Sequence, residues 1–232
     1  MPKHSCKILF VTGTDTEVGK TLVSCALLGA LQDRGFSTAA LKPLAAGARL
    51  LQGDWVNDDA LALQAAATAP LTLAQVNPCL FAEPIAPHLA AQQAGCEITL
   101  EQLLEQAQPA LQAPVDYLVI EGAGGWLVPL NQHQSLADFA AALPADIVLV
   151  VGLRLGCINH ALLSVAAIES SGLRLAGWVA NCVDPAMREV DANIDALRER
   201  IKAPLLGVIP HLQTVDSSRC AAAIDPSPLL TY

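Results

Sequence analysis

Residues 12–21 read TGTDTEVGKT. Gly19, Lys20 and Thr21, in direct succession, are the residue types that a loop uses to hold a polyphosphate. Lys20 would reach the β- and γ-phosphates, and Thr21 would offer its hydroxyl to magnesium. Backbone N–H groups of the loop and first helical turn would face the phosphate oxygens, where the helix dipole favours negative charge. The spacing is G-x5-G-K-T. Gly13 stands one residue earlier than in the usual G-x4-G-K-[ST] pattern, and Thr14 takes the usual glycine place. Two carboxylates, Asp15 and Glu17, lie in the middle of this anion-binding loop, which calls for a second ligand or a structural reason. A chance GKT after a strand is the competing reading, and the agreement of strand, turn, glycine, lysine, hydroxyl and amphipathic helix stands against it.

Further acids and a second lysine fall where the same chemistry would need them. Glu121 ends the run YLVIEGAGG at the carboxyl edge of a predicted strand, where open α/β sheets bind ligands. The glycines after it let backbone approach a substrate closely. Lys42, in LKPLAAG, ends another strand and would point into the same crevice as Lys20; taken alone, a lysine before proline is a solvated cation. Asp59, in NDDALAL, suits a metal ligand, yet an acid in a first helical turn needs no ligand to explain it. Asp58 fits equally, and spacing does not choose between them.

These residues require a scaffold that brings several strand ends together. Near-unbroken apolar runs predict strands over 8–12, 38–41, 117–121, 147–151, 175–181 and 205–209, each buried on both faces. Helical periodicity lies between them, over 20–34, 159–171 and 186–201, and Thr99 with Gln102 forms a capping box before another helix. The alternation predicts one α/β domain over 1–232, a doubly wound, mostly parallel sheet with helices on both faces. The proline-rich stretch 77–87 reads as the long irregular loop, and 213–232 as a loosely held tail. The composition agrees: 53% of the 232 residues are hydrophobic, only 4% are aromatic, and the formal net charge is -9. Such acidity disfavours nucleic acid and anionic membrane surfaces as partners. Seven scattered cysteines without a CxxC pair, no signal segment and no apolar span long enough for a membrane place the chain in the cytoplasm.

TGTDTEVGKT, KPLAAG, NDDALAL, NPCLFAEPIAPH, EGAGGWLVPL, LGCINHALL, GWVANCV and LLGVIPHL, in this order, resemble the dethiobiotin synthetase family from about Lys7 to Leu212. The resemblance implies a P-loop NTPase-like fold and an ATP- and Mg2+-dependent ligase. Its substrates would be 7,8-diaminononanoate and carbon dioxide, and its product the cyclic urea of dethiobiotin. It implies Lys20, Lys42 and Thr16 as catalytic, and Thr21, Asp59 and Glu121 as magnesium ligands. Nucleotide contacts would come from Glu17, Val18, Gly19, Lys20, Thr21, Leu22, Asp59, Glu121, Gly122, Ala123, Gly124, Asn181, Pro210, His211 and Leu212. Thr16, Lys42 and Ala46 would bind substrate, joined by Gly156, Cys157 and Asn159 across a homodimer interface. Ala46 and Ala86 stand where serine is common in the family, so activity is expected with a weaker substrate KM. The acids of the loop receive a reading too: Glu17 or Asp15 would face the cationic diamine, against a plain turn hydrogen bond for Asp15. The competing function is a dimeric ATPase switch of the partitioning type, whose loops carry an additional early lysine that Thr12-Gly13-Thr14 lacks.

Overall fold

The computed structural model describes residues 6–212 and 217–230. The chain runs β1 (Lys7–Gly13), α1 (Lys20–Gln32), β2 (Thr38–Leu41), β3 (Leu44–Ala46), β4 (Arg49–Leu51), β5 (Asp54–Val56), α2 (Asp58–Ala66), α3 (Leu73–Val76), β6 (Cys79–Phe81) and α4 (Pro87–Gln93). It continues through α5 (Leu100–Gln106), α6 (Gln108–Leu111), β7 (Tyr117–Glu121), α7 (Leu136–Ala141), β8 (Ala145–Gly152), α8 (Cys157–Ser170), β9 (Leu175–Asn181), α9 (Val190–Arg198), β10 (Leu205–Ile209) and α10 (Ser217–Ala222).

Six strands form one sheet in the order β10-β9-β8-β1-β7-β2, with every neighbouring pair parallel. Side chains alternate between its faces. Ile8 and Phe10 of β1 join Leu118, Ile120, Leu149 and Trp178 beneath α5, α7 and α8. Leu9 and Val11 join Val119, Val148 and Val150 beneath α1 and α2. Both faces are therefore covered, as the continuous aliphatic runs require, and each fully buried Leu or Val contributes about 1.5–3 kcal/mol. Because β1 lies in the middle, the chain passes first to one side and later to the other. The crevice at the carboxyl ends beside β1 is the topological switch point.

Local chemistry explains several element ends. Thr99 accepts from the Gln102 backbone at 3.2 Å and Gln102 returns a side-chain oxygen to the Thr99 N–H at 3.3 Å, the expected capping box. Asn57 caps α2 by accepting from the Ala60 N–H. Three expectations are corrected. The helix predicted over 186–201 is confined to Val190–Arg198, because Glu189 stands in the left-handed region at φ 55°. The stretch 77–87 is not wholly irregular, since Cys79–Phe81 pairs in parallel with Leu44–Ala46. The described part of the expected loose tail is packed: Cys220, Ile224 and Leu229 are buried, Ile224 bridges to Gly207, and Arg34 pairs with Asp225 at 2.8 Å. Gly29 admits α10 against α1, for a Cβ there would meet Ala221 at 3.1 Å. Residues 213–216 and 231–232 of that tail lie outside the described residues.

Candidate active site

Val18 is the wedge that shapes the phosphate loop. It is wholly buried, and a Cβ at Gly13 or at Gly152 would meet its side chain at 2.6 or 2.8 Å. The early glycine of the lengthened motif is thus a packing requirement, matched by a second glycine at the end of β8. Gly19 then turns the chain into α1 in the left-handed conformation, φ 84°. A Cβ on Gly19 would lie 2.1 Å from Asn181 Nδ2, which donates to the Val18 carbonyl at 2.9 Å. Asn181, at the end of β9, therefore braces the loop from behind.

Lys20 opens α1 and is nearly buried, with its Nζ donating to the Asp15 carbonyl at 3.1 Å. Asp15 is occupied as a structural acid. One carboxylate oxygen accepts from the Thr16 N–H at 2.8 Å, and the other pairs with Arg154 at 2.5 Å. Glu17 is exposed, left-handed at φ 58°, and turned to the cavity. Of the two loop acids, Glu17 alone remains available to a ligand.

At the neighbouring strand ends the charges converge. Lys42, 4% exposed, donates to Glu121 Oε1 at 2.6 Å and lies 3.1 Å from Asp59 Oδ2. The Thr21 hydroxyl donates to the same Glu121 oxygen at 2.9 Å. Lys42 is pinned through its backbone, which donates to Val76 O at 2.7 Å and accepts from Asn77 Nδ2 at 2.8 Å. Asp58 turns away to Arg49 of β4, at 2.6 Å, so Asp59 is the acid that reaches the cluster. Burial draws the Lys42 ammonium down, but Glu121 and Asp59 overcome it and leave the group raised and cationic. Burial pushes Lys20 below its ordinary range; Glu121 partly offsets this and the Lys42 charge adds to it.

These groups line one cavity of about 910 Å³. Thr16, Glu17, Gly19, Lys20, Thr21, Lys42, Ala46, Asp59, Glu121, Ala123 and Gly124 all face it, and Ala86 joins them from the proline-rich stretch. Trp126 anchors the glycine-rich turn after Glu121 by packing edge-on against Phe10, ring centres 6.1 Å apart. Val18, Leu22, Gly122, Asn181, Pro210, His211 and Leu212 stand outside the lining. Leu22 lines a separate groove, and His211 Nδ1 lies 3.2 Å from Cys182 O. Gly156, Cys157 and Asn159 are not among the lining residues either; they belong to the start of α8, beside Leu155, which is 97% exposed. Sequence reasoning missed Asn57, Asn77 and Arg154. Asn57 had a signal as a residue preceding two acids and an apolar run; the other two had none.

Magnesium suits this donor set. Glu121 Oε2 is buried with no hydrogen-bond partner among the described residues, an expensive state unless a cation faces it. Two carboxylates and a hydroxyl are hard oxygen donors, and among the described residues no third His, Cys, Asp or Glu completes an all-protein cage. That is the pattern of a cation shared with substrate phosphates.

The AAA domain family matches residues 7–219. The ATP-dependent dethiobiotin synthetase of Pseudomonas aeruginosa (strain UCBPP-PA14) is 50% identical over 220 residues, 95% of this chain and 96% of that one. The enzyme of the same name from Aromatoleum aromaticum is 48% identical, covering 93% and 95%, and that from Cellvibrio japonicus 48%, covering 97% and 99%. The chain belongs to the dethiobiotin synthetase family. It is an enzyme of that family, with the P-loop NTPase-like α/β fold. Among solved structures it is similar to the septum site-determining protein MinD complexed with Mg-ADP from Pyrococcus horikoshii, with TM-score 0.56 and 17% identity over 95% of this chain and 87% of that one. A likeness of that degree concerns the fold alone. Among the described residues, no helix is long and apolar enough to cross a membrane.

Proposed function

We propose that the cavity carries out the ATP-dependent carboxylation and ring closure of 7,8-diaminononanoate with carbon dioxide, giving dethiobiotin, ADP and phosphate. One substrate amine forms a bond to the carbon of carbon dioxide and loses a proton, leaving a carbamate. A carbamate oxygen attacks the γ-phosphorus of ATP, the bond to ADP breaks, and a carbamic-phosphoric anhydride results. The second amine attacks the carbonyl carbon, loses a proton and expels phosphate as the ring closes.

The observation that carries this reading is the meeting of Lys20, Lys42, Thr21, Asp59 and Glu121 on one cavity wall. Phosphoryl transfer is accelerated chiefly by position and fixed positive charge. Lys20, opening the helix, would face the transferred group, and Lys42 the carbamate and the same group in flight. Thr16 would hydrogen-bond the carbamate, and Glu17 would attract the ammonium form of the diamine. The loop thus serves two ligands of opposite sign, with backbone amides for phosphate and one acid for amine. Mg2+ held by Thr21, Asp59 and Glu121 would neutralise charge on the β- and γ-phosphates. Asn181 would recognise adenine, beside Pro210, His211 and Leu212.

A homodimer belongs to the same proposal. Gly156, Cys157 and Asn159, at the turn opening α8, would bind the substrate carboxylate of the partner's site, although Cys157 is buried and its N–H donates to Arg154 O at 3.0 Å. The exposed Leu127, Leu155 and Leu163, 67%, 97% and 62% accessible, favour an interface between copies. A partitioning-type switch has only the fold likeness in its favour.

Phosphate release tests the reading, measured with ATP, Mg2+ and bicarbonate in the presence and absence of the diamine. Release that requires the diamine, together with dethiobiotin in the products, is expected. Release indifferent to the diamine defeats the ligase and favours the switch. Sedimentation at micromolar concentration tests the dimer, for which a monomer is the adverse result.

A further inference from the structure

Lys42 touches both acids to which the proposed function gives the cation. Its Nζ is 2.6 Å from Glu121 Oε1 and 3.1 Å from Asp59 Oδ2, and Thr21 Oγ1 donates to the same Glu121 oxygen at 2.9 Å. Its backbone is fixed at both polar atoms by Val76 and Asn77. Its side chain is a flexible four-carbon stem, so only the ammonium can relocate. The whole cluster borders a cavity large enough to receive it.

We propose that the Lys42 ammonium and the divalent cation compete for the Asp59–Glu121 carboxylate pair, so that cation binding releases the ammonium into the cavity. This rests on the reading of Thr21, Asp59 and Glu121 as the metal site. The two carboxylates bring two negative charges, of which one ammonium balances half and a divalent ion all. A divalent ion on these oxygens beside an unmoved Lys42 would set like charges in contact next to the buried Lys42 and Glu121 side chains, where repulsion is stronger than in water. Release removes that repulsion. It also sends the freed charge toward the ligands in the cavity when the metal and its nucleotide arrive. Lys42 is held as an ion pair until then. The coupling is reciprocal: whatever holds Lys42 in the cavity tightens the metal, and whatever removes its charge from the pair does the same.

Mn2+ alone serves as the probe, with its affinity read by electron paramagnetic resonance on the full chain. Lys42→Met should bind Mn2+ roughly tenfold tighter than the wild type or better, a typical coupling. If Lys42→Met is not folded by circular dichroism, Lys42→Gln makes the same comparison. A second measurement needs no substitution: the rate of Lys42 acylation by a water-soluble ester, followed by peptide mass spectrometry, should rise when Mn2+ is added. Unchanged or weaker Mn2+ affinity on removing the ammonium overturns the proposal, as does an acylation rate indifferent to Mn2+. Glu121→Gln separates the two levels. If it binds Mn2+ as the wild type does, the metal reading itself falls. If it binds weakly while Lys42→Met matches the wild type, the metal site stands and only the competition fails.

Discussion

Two glycines open two helices at adjacent strand ends, and their surroundings could hardly differ more. Gly19 before α1 and Gly156 before α8 both stand in the left-handed region, at φ 84° and 93°. Around Gly19 the chain is closed: a Cβ would lie 2.1 Å from Asn181 Nδ2, and the preceding Val18 is wholly buried. A Cβ on Gly156 would meet no atom within 4 Å beyond its chain neighbours and its own helix among the described residues, and the preceding Leu155 is 97% exposed. The first turn is finished by its own chain, with β9 bracing it and two glycines receiving its wedge. The second has the same backbone and helix start but no such support, as suits a turn whose ligand or covering surface comes from elsewhere. The same local motif can therefore be a completed device or half of one, and only its neighbours decide which.

Gly19→Ala should break this contrast most forcefully. The added methyl group carries the strain of positive φ and drives Asn181 off the Val18 carbonyl, a loss of about 0.5–1.5 kcal/mol for the bond alone. Displacement of the loop matters more, since an error of about 1 Å in a reacting group can cost about a hundredfold in rate. A fall of that order in kcat/KM for ATP, with a lower Tm, is expected. Activity within a few-fold of the wild type would mean that the loop is not fixed by this contact.

How far these features could be read from residues alone follows the same division. Strands 38–41, 117–121, 175–181 and 205–209 were legible to the residue, because burial on both faces leaves an unbroken apolar run. The strands Leu44–Ala46, Arg49–Leu51, Asp54–Val56 and Cys79–Phe81 were not, since three residues are too few to show alternation. Met187 kept the helical period of α9 and packs against the core, yet its backbone precedes the helix, because periodicity records burial rather than dihedral angles. In the cavity, Lys42 and Glu121 were legible as polar residues at the ends of apolar strands, and Lys20 as the lysine between Gly19 and Thr21 where a helix opens. Asp59 could not be told from Asp58, because the choice is made by Arg49 on a hairpin that the sequence does not reveal. Arg154 was invisible for the same reason, its partner Asp15 lying far away in the chain.

Val18→Ala sharpens the comparison from within the closed turn. Full burial of a valine contributes about 1.5–3 kcal/mol, and truncation leaves a gap between Gly13 and Gly152. A lower Tm with a raised KM for ATP is expected, since the wedge sets the loop that receives the phosphates. A lower Tm with nucleotide constants unchanged would show that Val18 only packs.

Gly156→Ala is the matching change in the open turn. With no described atom within 4 Å of the new methyl group beyond its chain neighbours and its own helix, only the left-handed backbone resists it, at about 1 kcal/mol. Constants for ATP should stay near the wild type, and any loss should appear in the diamine KM. A large fall in kcat/KM for ATP would place this turn in the nucleotide site and dissolve the distinction.

Arg154 ties the two turns together, pairing with Asp15 at 2.5 Å from the loop that leads into Gly156. Both partners are substantially accessible, 38% and 47%, so the pair is screened and contributes on the order of 0.2–1 kcal/mol. Arg154→Met should therefore lower Tm slightly at low salt, and the difference should fade toward 1 M NaCl, where the Debye length falls to about 3 Å. Asp15→Asn should cost more, because Asp15 also accepts from the Thr16 N–H inside the loop. If the ion pair is all that Arg154 does, the double variant should be no worse than Asp15→Asn alone. An Arg154→Met defect larger than that of Asp15→Asn, and one that persists in high salt, would mean that the guanidinium serves the open turn directly and that the two turns are not merely tethered.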